Sequence, residues 1–250
     1  MRILLLGGTS EASELAKQLA GAGVDALFSY AGRTATPISQ RLPTRVGGFG
    51  GVDGLLSCFA EEGITHVVDA THPFATQISH NLQLATSQTD VVLVTLQRPP
   101  WHPTVDDNWR EVDSLEAAAA ALPDTPSQVF LAIGRQTINT FATLPQHHYL
   151  LRFVDPAEDT LPLPKATVVV ARGPYSAIED RALLEQHGID IIVAKNSGGT
   201  GGEAKLIAAR ELGLPVILVA RPPTPQGIVL ATPQQVMGYL SDASSRHLIP

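Results

Sequence analysis

Residues 1–23 of the chain read MRILLLGGTSEASELAKQLAGAG. The apolar run that ends at Leu6 predicts a buried strand, and the apolar spacing from Ser10 onward predicts a helix. Gly7 and Gly8 lie between them, so the stretch predicts a strand that turns directly into a helix. Such a turn is a common binding place for an anion, because unpaired N–H groups and the helix dipole both favour negative charge there.

The same alternation of strand and helix continues along the chain. The predicted strands are short, apolar and rich in β-branched residues, as strands covered by helices on both faces are. They span 2–6, 26–30, 66–69, 91–96, 129–133, 149–154, 167–171, 190–194 and 215–220, with a weaker one at 227–230. Helical patterns span 10–22, 51–62, 73–87, 114–122, 176–187, 202–212 and 233–240, and the residues after 240 are expected to be frayed. This alternation predicts parallel sheets of the α/β class with right-handed crossovers.

The proline-rich stretch RPPWHP at 98–103 interrupts this alternation. A boundary there divides the chain into two parts of ordinary domain size. We therefore predict two Rossmann-like, doubly wound parallel-sheet lobes with a cleft between them. One large sheet is the alternative, and whether a C-terminal segment crosses between the lobes stays open at this point.

The composition excludes several classes of protein. Of 250 residues, 44% are hydrophobic and 16% are charged, which is typical of a folded globular chain. The formal net charge of -7 argues against nucleic acid and anionic membranes as partners. Without a long apolar run or a signal peptide, we expect no membrane association and a cytoplasmic location. Cys58 is the one cysteine, and with no H-E-x-x-H pattern we expect no metal site.

Basic side chains follow many of the predicted strands. Open parallel sheets bind ligands at the carboxyl ends of their strands. The basic residues at those ends are Arg33, Arg98, Arg135, Arg172, Lys195 and Arg221, with Arg152 close to the end of its strand. In an acidic protein this clustering predicts a cationic crevice for a polyanionic ligand. The alternative is that some of these arginines only cap nearby carbonyl groups.

The carboxyl ends of the first two predicted strands favour a nicotinamide nucleotide cofactor, and the alternative is an α/β turn of the kind found in folds that bind no nucleotide. Thr9 or Ser10 can cap the helix, and Glu11 suits the helix dipole, although it would repel a phosphate placed too close. The second strand leads into GRT at 32–34 without an adjacent acid, and an arginine at this place favours NADPH over NADH. The loop VGGFGG at 46–51 could press its backbone against the same cofactor or could be a flexible connector.

Two later stretches could take part in chemistry. DATHPF at 69–74 follows a buried strand, which places His72 at the ligand edge as a candidate proton donor. Pro73 is expected to open the next helix. A helix-capping or solvent-facing His72 is the alternative. KNSGGTGG at 195–202 precedes a helix as a second anion-binding loop, without the G-K-[ST] order of a Walker A loop.

The ordered set of motifs resembles the precorrin-6A reductase family. The set is GGTSEA, GRT, VGGFGG, DATHPFA, RPPW, LRFVDP, ARGPY, AKNSGG and AARELGLPV, which together span nearly the whole chain. The resemblance implies an NADPH-dependent enzyme of cobalamin biosynthesis. Such enzymes reduce one double bond of precorrin-6A, a flat macrocycle fringed with carboxylates, to give precorrin-6B. The alternatives are a reductase of the cobalt-bearing macrocycle on the anaerobic route and a non-catalytic NADPH sensor.

The resemblance also implies roles for individual residues. The N-terminal lobe, 1–100, would bind NADPH and the C-terminal lobe, 101–250, the substrate, and neighbouring pathway enzymes are candidate partners. Contacts with NADPH are expected at Gly7, Gly8, Thr9, Ser10, Glu11, Arg33, Thr34, Gly47, Gly48, Gly50 and Thr71. Contacts with precorrin-6A are expected at Arg135, Arg172, Lys195, Asn196, Ser197 and Gly198. NADPH would supply the hydride and His72 the proton, with water or a substrate carboxylate as alternative donors.

Overall fold

The computed structural model describes residues 1–32, 34, 36–157, 160–224 and 226–246, with side chains described as far as residue 243. These residues form two compact units. The first unit comprises Met1–Pro99 and the segment that begins at Pro222, and the second comprises Pro100–Arg221. The first boundary lies between Pro99 and Pro100, within the proline-rich stretch 98–103. The return of the chain after Arg221 differs from the predicted domain 101–250, because the last strand pairs with the first sheet.

The helices and strands alternate throughout both units. Those of the first unit are β1 (Ile3–Leu6), α1 (Ser10–Gly21), β2 (Ala26–Tyr30), β3 (Thr44–Val46), α2 (Val52–Glu61), β4 (His66–Asp69), α3 (Thr76–Thr86) and β5 (Val92–Leu96). Those of the second are β6 (Trp109–Val112), α4 (Leu115–Ala120), β7 (Gln128–Ala132), β8 (His148–Phe153), β9 (Ala166–Val170), α5 (Ala177–Gln186), β10 (Ile191–Lys195), α6 (Ala204–Leu212) and β11 (Val216–Val219). The chain then returns to the first unit with β12 (Ile228–Leu230) and α7 (Pro233–Arg246).

Each unit contains a six-stranded sheet among its described residues. The strand order is β12-β5-β4-β1-β2-β3 in the first sheet and β6-β11-β10-β7-β8-β9 in the second. The strand pairs are parallel in both. The direction of winding reverses between β1 and β4 and between β7 and β10, and ligands of such sheets bind at the reversal. The prediction of two doubly wound parallel α/β lobes is therefore confirmed.

The opening strand β1 lies at the centre of the first core. Ile3 and Leu5 are fully buried in a cluster formed with α1 and α7, whereas Leu4 and Leu6 belong to a cluster formed with α2 and α3. Successive side chains of a strand point to opposite faces, so helices on both sides account for the unbroken apolar run. None of the described helices has both the length and the apolar composition needed to cross a bilayer.

Several local predictions differ from the structure. Strands β3 and β6 were missed, because both are short, are exposed or half-buried along their length and lack an apolar pattern. Helix α3 begins at Thr76, not at Pro73, which lies in a turn where the N–H of Ala75 donates to the carbonyl of His72 at 2.7 Å. Helix α7 continues past residue 240 to Arg246, so the expected fraying is wrong for 241–246, and 247–250 lie outside the described residues.

Candidate functional site

The two glycines between β1 and α1 have different structural roles. Gly8 has a φ of 132°, and a Cβ built on it meets no described atom within 4 Å. A Cβ on Gly7, in contrast, would lie 2.0 Å from the ring of Phe28. Gly7 is therefore needed for packing against Phe28, whereas Gly8 provides the unusual backbone conformation and the open space that a bound anion needs.

Thr9 is the capping residue of α1. Its hydroxyl accepts from the N–H of Ala12 at 3.1 Å and donates to the carbonyl of Ala70 at 2.8 Å. The second bond ties the turn to the segment that follows β4, across the point where the sheet reverses. Ser10 is the first residue of the helix, and its hydroxyl donates to Glu11 at 3.0 Å. Glu11 also pairs with Arg98, which follows β5.

The glycine-rich loop after β3 lies beside the end of β2. The N–H of Gly47 donates to the carbonyl of Tyr30 at 2.9 Å, and a Cβ on Gly32 would lie 3.6 Å from the Cα of Gly47. The structure thus brings together the two stretches that were predicted to hold the same cofactor. Thr34 is half-buried there. Arg33 lies outside the described residues.

The carboxyl end of β4 carries a buried carboxylate. Asp69 is 4% exposed and accepts from the backbone N–H and the hydroxyl of Thr71, at 3.1 and 2.7 Å, and from the hydroxyl of Ser79 at 2.5 Å. It holds the segment that leads to His72 against α3. No role was assigned to Asp69 from the sequence. The available signal was an acid at the end of an otherwise buried strand.

His72 lines a cavity in the first unit. Its Nδ1 accepts from the N–H of Phe74 at 3.3 Å, so in the neutral ring the proton is on Nε2. The cavity has a volume of about 120 Å³, and its lining includes hydroxyl, amide and imidazole groups. These belong to Thr71, His72, Thr76, His80, Gln83, Thr95 and Gln97. Thr71 and His72 thus line the same cavity.

Four of the predicted substrate contacts in the second unit lie near the reversal of the second sheet. Arg135 is exposed in the short 3-10 helix that follows β7, and Lys195 ends β10 and donates to the hydroxyl of Thr137 at 3.2 Å. Ser197 is 8% exposed, and Gly198 has a φ of 66°. These residues lie around the carboxyl ends of β7 and β10, where the second sheet reverses.

Asn196 has a different position from that expected for a ligand contact. It is 3% exposed, and its amide accepts from the backbone N–H of Trp101 at 2.9 Å and donates to the carbonyl of the same residue at 3.0 Å. The indole N–H of Trp101 in turn donates to the carbonyl of Gly199 at 2.8 Å. The Asn196 side chain therefore fixes Trp101 and, through it, the glycine-rich loop.

Some of the strand-end arginines are paired within their own unit. Arg152 forms an ion pair with Asp180, which is almost completely buried, and its guanidinium carbon lies 3.5 Å from the centre of the Tyr175 ring. Arg172 lies 3.8 Å from Asp155, and both side chains are about one third exposed. Arg152 thus anchors the loop that carries Arg172 and supplies less charge to a ligand than the sequence suggested. Within the described ranges, no group of three or more His, Cys, Asp or Glu side chains is placed to hold a metal ion.

Fold and site together define a doubly wound α/β protein with two units, of the class whose ligands bind at the reversal of a parallel sheet. Its second unit presents basic residues and a glycine-rich loop at the corresponding edge. The chain belongs to the precorrin-6x reductase CbiJ/CobK family, whose model matches residues 2–241.

Individual relatives agree with this assignment. A precorrin-6A reductase of Rhodobacter capsulatus is 56% identical over 241 residues, which cover 96% of each chain. A cobalt-precorrin-6A reductase of Priestia megaterium is 32% identical over 249 residues, covering 95% of this chain and 97% of that one. The solved structure of CobK precorrin-6A reductase matches with a TM-score of 0.94 at 56% identity, covering 97% of this chain and 96% of that one. The predicted family, the oxidoreductase class and the place in cobalamin biosynthesis are confirmed.

Proposed function

We propose that the chain reduces one double bond of metal-free precorrin-6A with NADPH to give precorrin-6B. The carrying observation is the open turn at Gly8, at the reversal of the first sheet, in a chain 56% identical to a precorrin-6A reductase. The turn fits a dinucleotide for two reasons. Gly8 has no side chain to keep a ligand away from the backbone, and the N–H groups of the turn lie at the start of a 12-residue helix. A cytoplasmic location and contacts with neighbouring pathway enzymes belong to the same proposal.

The first unit would hold the cofactor along the carboxyl edge of its sheet. In doubly wound sheets the pyrophosphate lies at the first helix, and the ribose nearest the adenine lies at the end of the second strand. Gly8, Thr9 and Ser10 would therefore contact the pyrophosphate. The ribose phosphate would be held by Arg33, Thr34 and the loop 47–51. NADPH supplies the hydride when it is bound. Thr71 follows β4, on the opposite side of the reversal from the turn at Gly8.

His72 would deliver the proton that completes the reduction. Hydride addition to one carbon of a conjugated system leaves negative charge, which a proton on the neighbouring carbon removes. The neutral His72 ring carries its proton on Nε2, since Nδ1 accepts from the N–H of Phe74. Asp69 would keep the ring in place through its bonds to Thr71 and Ser79. The proposal therefore separates a proton-donating residue from a positioning one.

The second unit would bind the carboxylates of the macrocycle. Arg135 and Arg172 are exposed, and a guanidinium suits a carboxylate because its planar fork can donate two parallel hydrogen bonds. Lys195, Ser197 and Gly198 would extend this site along the edge of β10. Asn196 would contribute through Trp101, because its amide is already occupied by that residue.

The metal-free macrocycle is favoured over the cobalt-bearing one by the degree of similarity. The precorrin-6A reductases of Rhodobacter capsulatus and a Sinorhizobium species are 56% and 50% identical to this chain, whereas the cobalt-precorrin-6A reductase of Priestia megaterium is 32% identical. A sensor that only binds NADPH would not need basic residues at the reversal of the second sheet.

An anaerobic assay of the purified protein with precorrin-6A tests the proposal. NADPH absorbance and product mass are followed together, with NADH and with the cobalt-bearing macrocycle in parallel reactions. We expect a product heavier by one hydride and one proton, with NADPH strongly preferred. If only the cobalt-bearing macrocycle were reduced, that macrocycle and not precorrin-6A would be the substrate. NADPH binding without turnover of either macrocycle would indicate a sensor.

A further inference from the structure

Arg45 lies in the middle of β3 and is joined to the loop that follows it. Its Nη1 donates to the hydroxyl of Ser29 at 2.8 Å and to the carbonyl of Gly47 at 3.1 Å. Its Nη2 donates to the carbonyl of Gly48 at 3.2 Å. The guanidinium thus connects the end of β2 with two successive carbonyl groups of the loop.

The same guanidinium also faces the aromatic ring of the loop. Its carbon lies 4.0 Å from the centre of the Phe49 ring, within the range of a cation–π contact. Helix α2 is also packed tightly against the loop, since a Cβ on Gly54 would lie 1.6 Å from the carbonyl oxygen of Phe49. The loop is therefore in contact with both Arg45 and the first turn of α2.

This arrangement lies next to the proposed cofactor site. Ser29, which accepts from Arg45, has a carbonyl that accepts from the N–H of Gly7 at 3.0 Å. Gly7 directly precedes the open turn at Gly8. Without such restraint, the glycines of the loop would lose a large conformational entropy when a ligand fixed them. A loop already held in its binding shape avoids this cost.

We propose that Arg45 is a positioning residue that fixes the loop 47–51 in the shape that receives the adenosine end of the cofactor. The inference rests on the proposed NADPH site. Three of the five N–H donors of Arg45 are directed at Ser29, Gly47 and Gly48, so we place its action in the loop and not in a direct contact with the ribose phosphate. Its loss therefore weakens NADPH and NADH binding alike. A lysine cannot replace it, since an ammonium group lacks the planar fork that reaches several acceptors at once.

The test compares Arg45→Lys and Arg45→Ala with Arg41→Ala. Arg41 is an exposed residue of the segment before β3, so its variant removes the same charge nearby. Dissociation constants for NADPH and NADH are measured by titration, and amide hydrogen exchange of 47–51 is measured without cofactor. We expect both Arg45 variants to exchange faster in the loop and to bind both nucleotides about tenfold more weakly, by the same factor. Arg41→Ala should behave as the wild type. Ser29→Ala, which removes one of the acceptors, should change both readouts in the same direction but less.

Two results would overturn the inference. One is unchanged exchange of the loop in both Arg45 variants. The other is a loss confined to NADPH in Arg45→Ala that Arg45→Lys restores, because this would indicate a direct charge contact with the phosphate. Failure of the proposed function looks different: the wild-type chain would bind neither nucleotide. Faster loop exchange in the Arg45 variants would then still support the positioning of the loop.

Discussion

Arg98 forms an ion pair with Glu11, and the two side chains are only 14% and 20% exposed. Glu11 lies in the first turn of α1, beside the open turn at Gly8, and Arg98 follows β5. An unpaired carboxylate at this position would repel the phosphates of a cofactor. The pair therefore explains how an acid is tolerated beside a proposed pyrophosphate site.

The pair leads to a prediction for cofactor affinity. Arg98→Ala should weaken NADPH binding by about tenfold, because it leaves the Glu11 charge uncompensated close to the phosphates. Glu11→Gln combined with Arg98→Ala should recover much of the loss. The measurement is a double-mutant cycle on the NADPH dissociation constant at low and high salt.

Glu14 and Lys17 provide the matched control on the same helix. Their side chains are about half exposed, so removal of either should leave affinity nearly unchanged and the coupling close to zero. Equal losses in Arg98→Ala and in the double variant would show that Glu11 does not oppose the phosphates.

Removal of the His72 ring should affect turnover and not cofactor affinity. His72→Ala should lower kcat by roughly 10²–10⁴-fold, the usual contribution of a general acid, with an unchanged dissociation constant for NADPH. Steady-state kinetics with precorrin-6A and a separate nucleotide titration measure the two quantities. His80→Ala is the control, since His80 lines the same cavity from α3. Wild-type turnover in His72→Ala would remove His72 from the mechanism.

Alanine substitutions at the two turn glycines should have separable effects. Gly7→Ala should lower the free energy of unfolding by about 1–3 kcal/mol, because the new methyl group overlaps the Phe28 ring. Gly8→Ala should chiefly weaken NADPH binding, since it forces an L-residue into a φ of 132° where a ligand would approach.

Chemical denaturation and nucleotide titration of both variants distinguish these effects. Phe28→Leu combined with Gly7→Ala should restore part of the lost stability, because the smaller side chain makes room for the methyl group. If Gly7→Ala is as stable as the wild type and binds NADPH poorly, Gly7 contacts the cofactor directly and its packing role is secondary.

His147 should make the stability of the second unit depend on pH. It is fully buried, and neither ring nitrogen has a hydrogen-bond partner among the described residues. Burial lowers the pKa of His147 below 6.5, because the imidazolium form would lose its hydration. The unfolded chain therefore binds a proton at a higher pH than the folded chain. The contribution of this residue is complete above pH 6.5 and declines as the pH falls from there toward the folded-state pKa.

His147→Phe should reduce this decline. The measurement is the midpoint of thermal unfolding between about pH 7.5 and pH 5.5 for the wild type and the variant. His102→Phe, at an exposed position, controls for the loss of one histidine. An unchanged pH dependence in His147→Phe would assign the acid sensitivity to other groups.

The opening strand, turn and helix follow from the local sequence. The apolar run, the glycines and the hydroxyl residue that caps the helix act within a few residues of one another, so local periodicity suffices to predict them. The order of motifs along the chain likewise determined the family. The first follows from properties of neighbouring residues, and the second from motifs that are recognised along the chain without knowledge of which residues are in contact.

Which side chains remain for ligands depends on tertiary contacts. Glu11 meets Arg98, and Asn196 meets Trp101, across 87 and 95 positions of sequence. Strand β12 has three residues, and its place in the first sheet comes from pairing with β5. Such contacts depend on the spatial order of the strands in each sheet. Local patterns do not specify that order, because the backbone and side-chain groups that pair are far apart in sequence and meet only in the folded sheets.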